Sequence, residues 1–157
     1  MIRYFLVAFF AIFVFIPTVQ AEDPFESTAC VSGTSTMLYN SKELMVLSFE
    51  MKGIVRSNTN SEIFNNVSEM CVGLVCKMGD DITQRGYCKY MYPNGDITIM
   101  EWDGKANGGN WKLLLGTGKW EGIKGSGTWS ILQRAKPIAP GTSQYCRTFK
   151  GTYELPK

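Results

Sequence analysis

Gly116-Thr117-Gly118-Lys119-Trp120-Glu121-Gly122-Ile123-Lys124-Gly125-Ser126-Gly127-Thr128-Trp129 packs five glycines, two tryptophans and three charges between apolar β-forming segments. Glycine inside a strand gives up packing and backbone entropy, so it marks a bend, a bulge or a close approach of another backbone. Gly116 and Gly118 are spaced to share one face of a strand, and Gly125 and Gly127 repeat the spacing beyond a turn at Gly122. Two paired strands bare on one face let a sheet coil tightly, which closure into a barrel requires. A phosphate-binding loop is the competing reading. The spacing matches neither G-x-x-x-x-G-K-[ST] nor G-x-G-x-x-G, because Glu121 stands where the last glycine of the second pattern belongs.

The rest of the chain supplies strands for such a barrel. Met45, Leu47, Phe49 and Met51 alternate with Val46, Ser48, Glu50 and Lys52, the period of two that marks a half-buried strand. This strand is read from Leu44 to Val55, with Glu22–Thr36 as a lead-in loop and a first strand beginning near Thr36. Ser57–Ser61 and Asn65-Asn66 read as loop, and Asn66-Val67-Ser68 has the form of a glycosylation sequon. Further strands are expected over Val67–Lys77, Gln84–Tyr92, Ile97–Trp102, Trp111–Trp120, Ile123–Leu132 and Arg147–Leu155. Pro93-Asn94-Gly95-Asp96 is a hairpin signal, Lys105–Asn110 a glycine-rich loop, and Ala135–Gln144, with Pro137 and Pro140, a longer loop. Short connections and the absence of a helical period predict an all-β fold, a single antiparallel eight-stranded up-and-down β-barrel.

Residues 1–21 are set apart. Arg3 precedes an apolar run of 13 residues, Tyr4–Ile16, closed by Pro17 and by the small-residue end Val19-Gln20-Ala21. The run is short of the roughly 20 residues that span a bilayer. It reads as a cleaved secretory signal peptide, leaving residues 22–157 as one exported domain, secreted or periplasmic, with no membrane span. Cys30 lies too far from the apolar run for a lipoprotein. Without Arg3 the chain has 15 basic and 14 acidic residues, too balanced to suggest nucleic acid or an anionic membrane as partner.

Histidine is absent from the sequence. Ser-His-Asp and Cys-His catalysis are therefore excluded, as is any His-ligated metal. No metal and no cofactor is expected, since C-x4-C with one further cysteine lacks the paired spacing of zinc sites. The five cysteines would meet an oxidising compartment, where an odd number leaves at least one unpaired in the chain. Cys71 and Cys76 fall on opposite faces of a regular strand, so at most one of them shares a face with Cys88.

The run GTGKWEGIKGSG resembles the glycine-rich hairpin of allene oxide cyclase and dirigent-like β-barrels, and more closely that of small secreted bacterial proteins of this type. Gly86-Tyr87-Cys88, Gly95-Asp96 and Trp102-Asp103-Gly104 extend the resemblance over Cys71–Trp129. It implies an allene oxide cyclase-like, calycin-like barrel, and it singles out Cys71–Cys88 as the first disulfide. Cys30–Cys146 is then a tie between the chain ends. No residue matches the catalytic positions of the plant cyclases.

An eight-stranded barrel holds one small ligand or fills itself with side chains. Phe49, Tyr87, Tyr90, Trp102, Trp111 and Trp129 are the candidate lumen lining, or else plain core. Glu50 and Glu101 lie among apolar neighbours and are the candidate acid–base groups, or else solvated charges paired with Lys52 or Lys89 across strands. The preferred function is an exported barrel binding a small apolar or aromatic molecule in its lumen. The alternatives are a cyclase or isomerase, which the resemblance brings, and a structural or interaction subunit. A homodimer fits a barrel with apolar outer faces.

Overall fold

The computed structural model describes residues 23–156, so the signal-peptide reading of residues 1–21 lies outside the described part. Eight strands follow one another: β1 Asp23–Asn40, β2 Leu44–Ser57, β3 Val67–Met78, β4 Asp81–Met91, β5 Ile97–Lys105, β6 Gly108–Gly116, β7 Lys124–Arg134 and β8 Thr142–Glu154. Each pairs with its sequence neighbour, and β8 pairs back to β1, closing an antiparallel up-and-down barrel. No helix among the described residues is long and apolar enough to cross a membrane.

Glycines bend the barrel, though the pairing differs from the one expected. Gly125 and Gly127 do lie bare on β7. Gly116, however, ends β6, and Gly118 sits at φ +54° in a short 3-10 turn, Gly118–Trp120, packed on the Asp96 carboxylate. The glycine facing Gly127 is Gly151 of β8. Across the wall, register partners run Phe49, Gly73, Gly86, Trp102, Trp111, Gly127, Gly151 and Phe25. The row starts opposite Ser35 of β1 and returns to that strand at Phe25, so it spirals, as tilted barrel strands demand.

Rings fill the recesses that the glycines leave. A Cβ on Gly86 would meet the Trp102 ring at 2.9 Å, and one on Gly104 would meet Trp129 at 2.8 Å. Trp111 lies over both Gly127 and Gly151, and Phe49 over Gly73. The Trp111 indole N–H donates to the Thr128 carbonyl at 3.0 Å, and that of Trp129 to the Asp103 carbonyl at 2.9 Å. Gly73, Gly86, Gly104, Gly127 and Gly151 are thus seats for aromatic side chains.

β1 corrects the expected lead-in loop. It is a strand from Asp23, paired with β8 from Asp23↔Tyr153 to Thr34↔Thr142. Its inward residues include Ser27 and Ala29, both fully buried. Small side chains under the aromatic layer give no hydrophobic alternation to read. The glycine-rich loop expected at Lys105–Asn110 shrinks to a two-residue turn between β5 and β6.

Both disulfides form: Cys71–Cys88 joins β3 to β4 inside the barrel, and Cys30–Cys146 ties β1 to β8 on the outside. Cys76 remains a free thiol. Three connections close one end of the barrel. Residues 58–66 turn Ile63 and Phe64 inward, residue Tyr92 caps the β4–β5 turn, and residues 117–123 bury Trp120 and Ile123. Phe64 adopts φ +52°, unusual for a bulky residue, and is held there by the rings of Tyr90 at 4.6 Å and Phe25 at 5.3 Å.

Candidate functional site

Strand alternation sends Phe49, Tyr90, Trp102, Trp111 and Trp129 into the barrel, as expected of lumen residues. Tyr87 is the exception. It alternates with the inward Gly86 and Cys88, faces outward and is 55% exposed. The inward rings are wall and core, packed in one buried cluster with Phe25, Phe64 and Phe149.

Glu50 and Glu101 also face outward, which removes the apolar surroundings expected for them. Glu50 pairs with Lys52 at 2.7 Å and Glu101 with Lys112 at 2.6 Å, all four partly or largely exposed. The Glu101 carboxylate pulls the Lys112 ammonium upward from its ordinary pKa, first by hydrogen bonding and then by charge. These are solvated ion pairs, the second of the two readings the sequence left open. The partner of Glu101 is Lys112 on β6, not Lys89.

The carboxylate that does lie inside is Glu69. On β3 it alternates inward with Val67 and Cys71, and Arg147 alternates inward with Phe149 on β8. Arg147 Nη2 meets Glu69 Oε2 at 2.7 Å, and the residues are 4% and 3% exposed. The same nitrogen lies 3.3 Å from Cys71 Sγ, and the guanidinium stacks 4.9 Å over the Phe149 ring. Burial opposes the charge on Arg147, but Glu69, with Tyr90 and Tyr145, holds its pKa above the ordinary arginine value. Burial first, and the Glu69 charge after it, keeps the Tyr90 phenol far above its usual pKa, and burial raises Tyr145 as well. Tyr145 donates to Met51 sulfur at 2.6 Å and Tyr90 to Met100 sulfur at 3.4 Å. Removing either partner would strand the other charge in an apolar core. Its parity was visible in the sequence: Glu69 and Arg147 each stand two residues from a core position.

Room for a ligand lies instead on the outer wall, as a cavity of about 820 Å³. It follows the row of glycines and tryptophans from outside, with Gly73, Gly86, Trp102 and Trp111 as its floor. Two parallel rows of outward side chains flank that floor. One runs Val72, Tyr87, Glu101, Lys112 and Ser126; the other runs Leu74, Arg85, Asp103 and Asn110. Seen from outside this floor is main chain, since the Trp102 and Trp111 rings and the Cβ directions of Gly73 and Gly86 point inward, while Val72 and Tyr87 in one row and Leu74 in the other stand above it as apolar side chains. Arg85 and Asp103 are register partners, yet neither side chain has an ion-pair partner among the described residues. They remain free to bond a guest.

Searches by sequence find no matching family model and no matching curated protein. Comparison of folds finds similar barrels among dirigent proteins. The pterocarpan synthase dirigent protein GePTS1 superposes with a TM-score of 0.54 at 7% identity, over 88% of this chain and 94% of that one. The pterocarpan synthase dirigent protein PsPTS1 superposes with a TM-score of 0.54 at 8% identity, over 88% of this chain and 99% of that one. At this identity the likeness is one of fold.

Proposed function

We propose that the protein is an exported binding barrel that holds a small, flat, largely apolar molecule in the groove on its outer wall. The groove, about 820 Å³ with an apolar flank and a few polar groups, carries this reading, since sites for small molecules have this size and make-up. The lumen expected to serve this role is occupied by the protein's own rings and by the Glu69–Arg147 pair. A cyclase or isomerase role loses its two candidate carboxylates to exposed ion pairs. Two disulfides support an oxidising, extracellular setting, in keeping with an exported chain.

The Tyr87 phenol and the aliphatic Val72 and Leu74 supply contact area. Arg85 offers a cationic fork to an acidic or hydroxyl group on the guest. The test uses 8-anilinonaphthalene-1-sulfonate, a flat aromatic anion, titrated against the protein by fluorescence. Binding at one site is expected, weakened about tenfold or more by Val72→Asp and by Arg85→Glu. Dye binding that neither substitution alters refutes the groove as the site.

A further inference from the structure

The turns β1–β2, β3–β4, β5–β6 and β7–β8 all leave the barrel at the end opposite the plug. There the chain exposes Met37, Leu38, Tyr39, Met78, Leu132 and Ile138, each half or more accessible, with Ile138 at 82%. Soluble surfaces rarely gather so many large apolar side chains in one region. Met37, Leu38 and Tyr39 lie near the end of β1, Met78 ends β3, Leu132 lies near the end of β7, and Ile138 belongs to the β7–β8 loop. The β1–β2 hairpin runs beyond β8, because β1 continues to Asn40 after its pairing with β8 ends at Thr34. Ile138 tips a loop stiffened by Pro137 and Pro140.

Charge is segregated in the same direction. Lys42, Lys77, Arg134 and Lys136 stand among these side chains, while Asp81 is paired with Lys105 and only Glu43 and Asp80 oppose the rest. Around the plugged end, strand ends included, Asp23, Glu62, Asp96, Glu121 and Glu154 outnumber Arg56, Lys119 and Lys124. The nearly neutral total charge hides this difference.

We propose that the projecting end docks on an anionic bilayer surface. The apolar turns enter the headgroup region and the basic side chains meet lipid phosphates. Aliphatic tips with lysines and a tyrosine at their border are the composition of interfacial membrane contacts. Separate protruding turns suit a fluid surface, which closes around each of them. A second copy of the chain is disfavoured, because pairing these ends would oppose one basic patch to another.

Co-sedimentation with vesicles of equal parts phosphatidylglycerol and phosphatidylcholine tests this on the exported chain. The protein is expected in the pellet with these vesicles and far less with phosphatidylcholine alone. Leu38→Asp with Ile138→Asp should weaken binding about tenfold or more. Lys42→Glu with Lys136→Glu should reduce it on the anionic vesicles only. Thermal melting of each variant at the wild-type temperature shows that the fold is kept, as such exposed positions predict. Protein that stays in the supernatant overturns the proposal. So does pelleting that the tip variants leave unchanged, and so does a dimer in native mass spectrometry that Ile138→Asp dissociates, since a second copy would then cover this end.

Discussion

The two ends of the barrel treat their apolar side chains in opposite ways. At the end bearing the β2–β3, β4–β5 and β6–β7 connections, every large apolar loop residue turns inward: Ile63, Phe64, Tyr92, Trp120 and Ile123 are all buried. At the other end the last residues of β1, β3 and β7 and the 135–141 loop leave Met37, Leu38, Tyr39, Met78, Leu132 and Ile138 in solvent, more than the strand ends beside the plug, where Met91, Leu114 and Leu115 are about half exposed. Both sets of turns join strands of the same sheet and have the same chance to fold over the barrel mouth. Connection length helps separate them: residues 58–66 and 117–123 are long enough to fold back, whereas the β3–β4 and β5–β6 turns are tight. The exception is residues 135–141, long enough to turn inward yet tied to the strand ends by main-chain hydrogen bonds with Ser35 and Gln144. Stability is therefore concentrated at one end, and surface available for contacts at the other.

The largest effect that sharpens this contrast is expected at Phe64. Its ring touches Phe25, Tyr90, Trp111 and Phe149, and it is 1% exposed. Phe64→Ala removes the plug from among these rings and should cost about 3–5 kcal/mol. By the usual scaling for a chain of this size, melting should fall by roughly 10 °C or more. Calorimetry on the oxidised protein checks it. A loss below about 1 kcal/mol would mean that the loop is a lid and not part of the core.

Next in size is the alkaline limit of the plugged end. Tyr92 stacks on Trp120 at 4.8 Å, and burial pushes its phenol up to about 12. In the unfolded chain the same phenol ionises near the ordinary tyrosine value of 10.0. The folded state thus keeps its proton where the unfolded state releases it. The stability this represents is fully present below pH 10 and is lost as pH rises towards 12, about 3 kcal/mol across the window. Urea unfolding at a series of alkaline pH values should show that decline. In Tyr92→Phe the slope should shrink. The hydroxyl makes no hydrogen bond of good geometry, although Thr98 and the Phe64 backbone lie near enough to favour its ionised form, so its loss near neutral pH should cost about 1 kcal/mol. A Tyr92→Phe protein with an unchanged alkaline slope would place the titration elsewhere.

These positions also show what the sequence made legible. Strand period, the Pro93–Asp96 turn and the clustered glycines were enough for an eight-stranded barrel, because each is a local signal with a local cause. Strand parity separated Cys71 from Cys76, and the family resemblance chose Cys71 as the partner of Cys88. Phe64 was hidden among Ser and Asn residues, where composition argues for an exposed loop. β1 was hidden because Ser27 and Ala29 are small residues placed beneath large ones. Glu69 and Arg147 are 78 positions apart, and only closure of the barrel brings them together. The groove was the least legible feature. Tyr87, Glu101, Lys112 and Ser126 become neighbours only through the register of four successive strands, and register is what alternation alone leaves free.

The smallest effect should come from the projecting end, and its smallness is the point. Ile138 is as apolar as Ile63 but touches almost nothing, so Ile138→Ser gives up little transfer energy on folding. A change within about 0.5 kcal/mol is expected, the range for surface sites free of special contacts. Ile63→Ser, at a fully buried position, should by contrast lose the buried chain and strand a hydroxyl in the plug. Denaturant midpoints of the two variants, measured side by side with equal slopes, give the comparison directly. If Ile138→Ser lowers the midpoint as Ile63→Ser does, the 135–141 loop packs against the barrel in solution. The two ends would then be alike, and the exposed apolar rim would vanish as a surface for any partner.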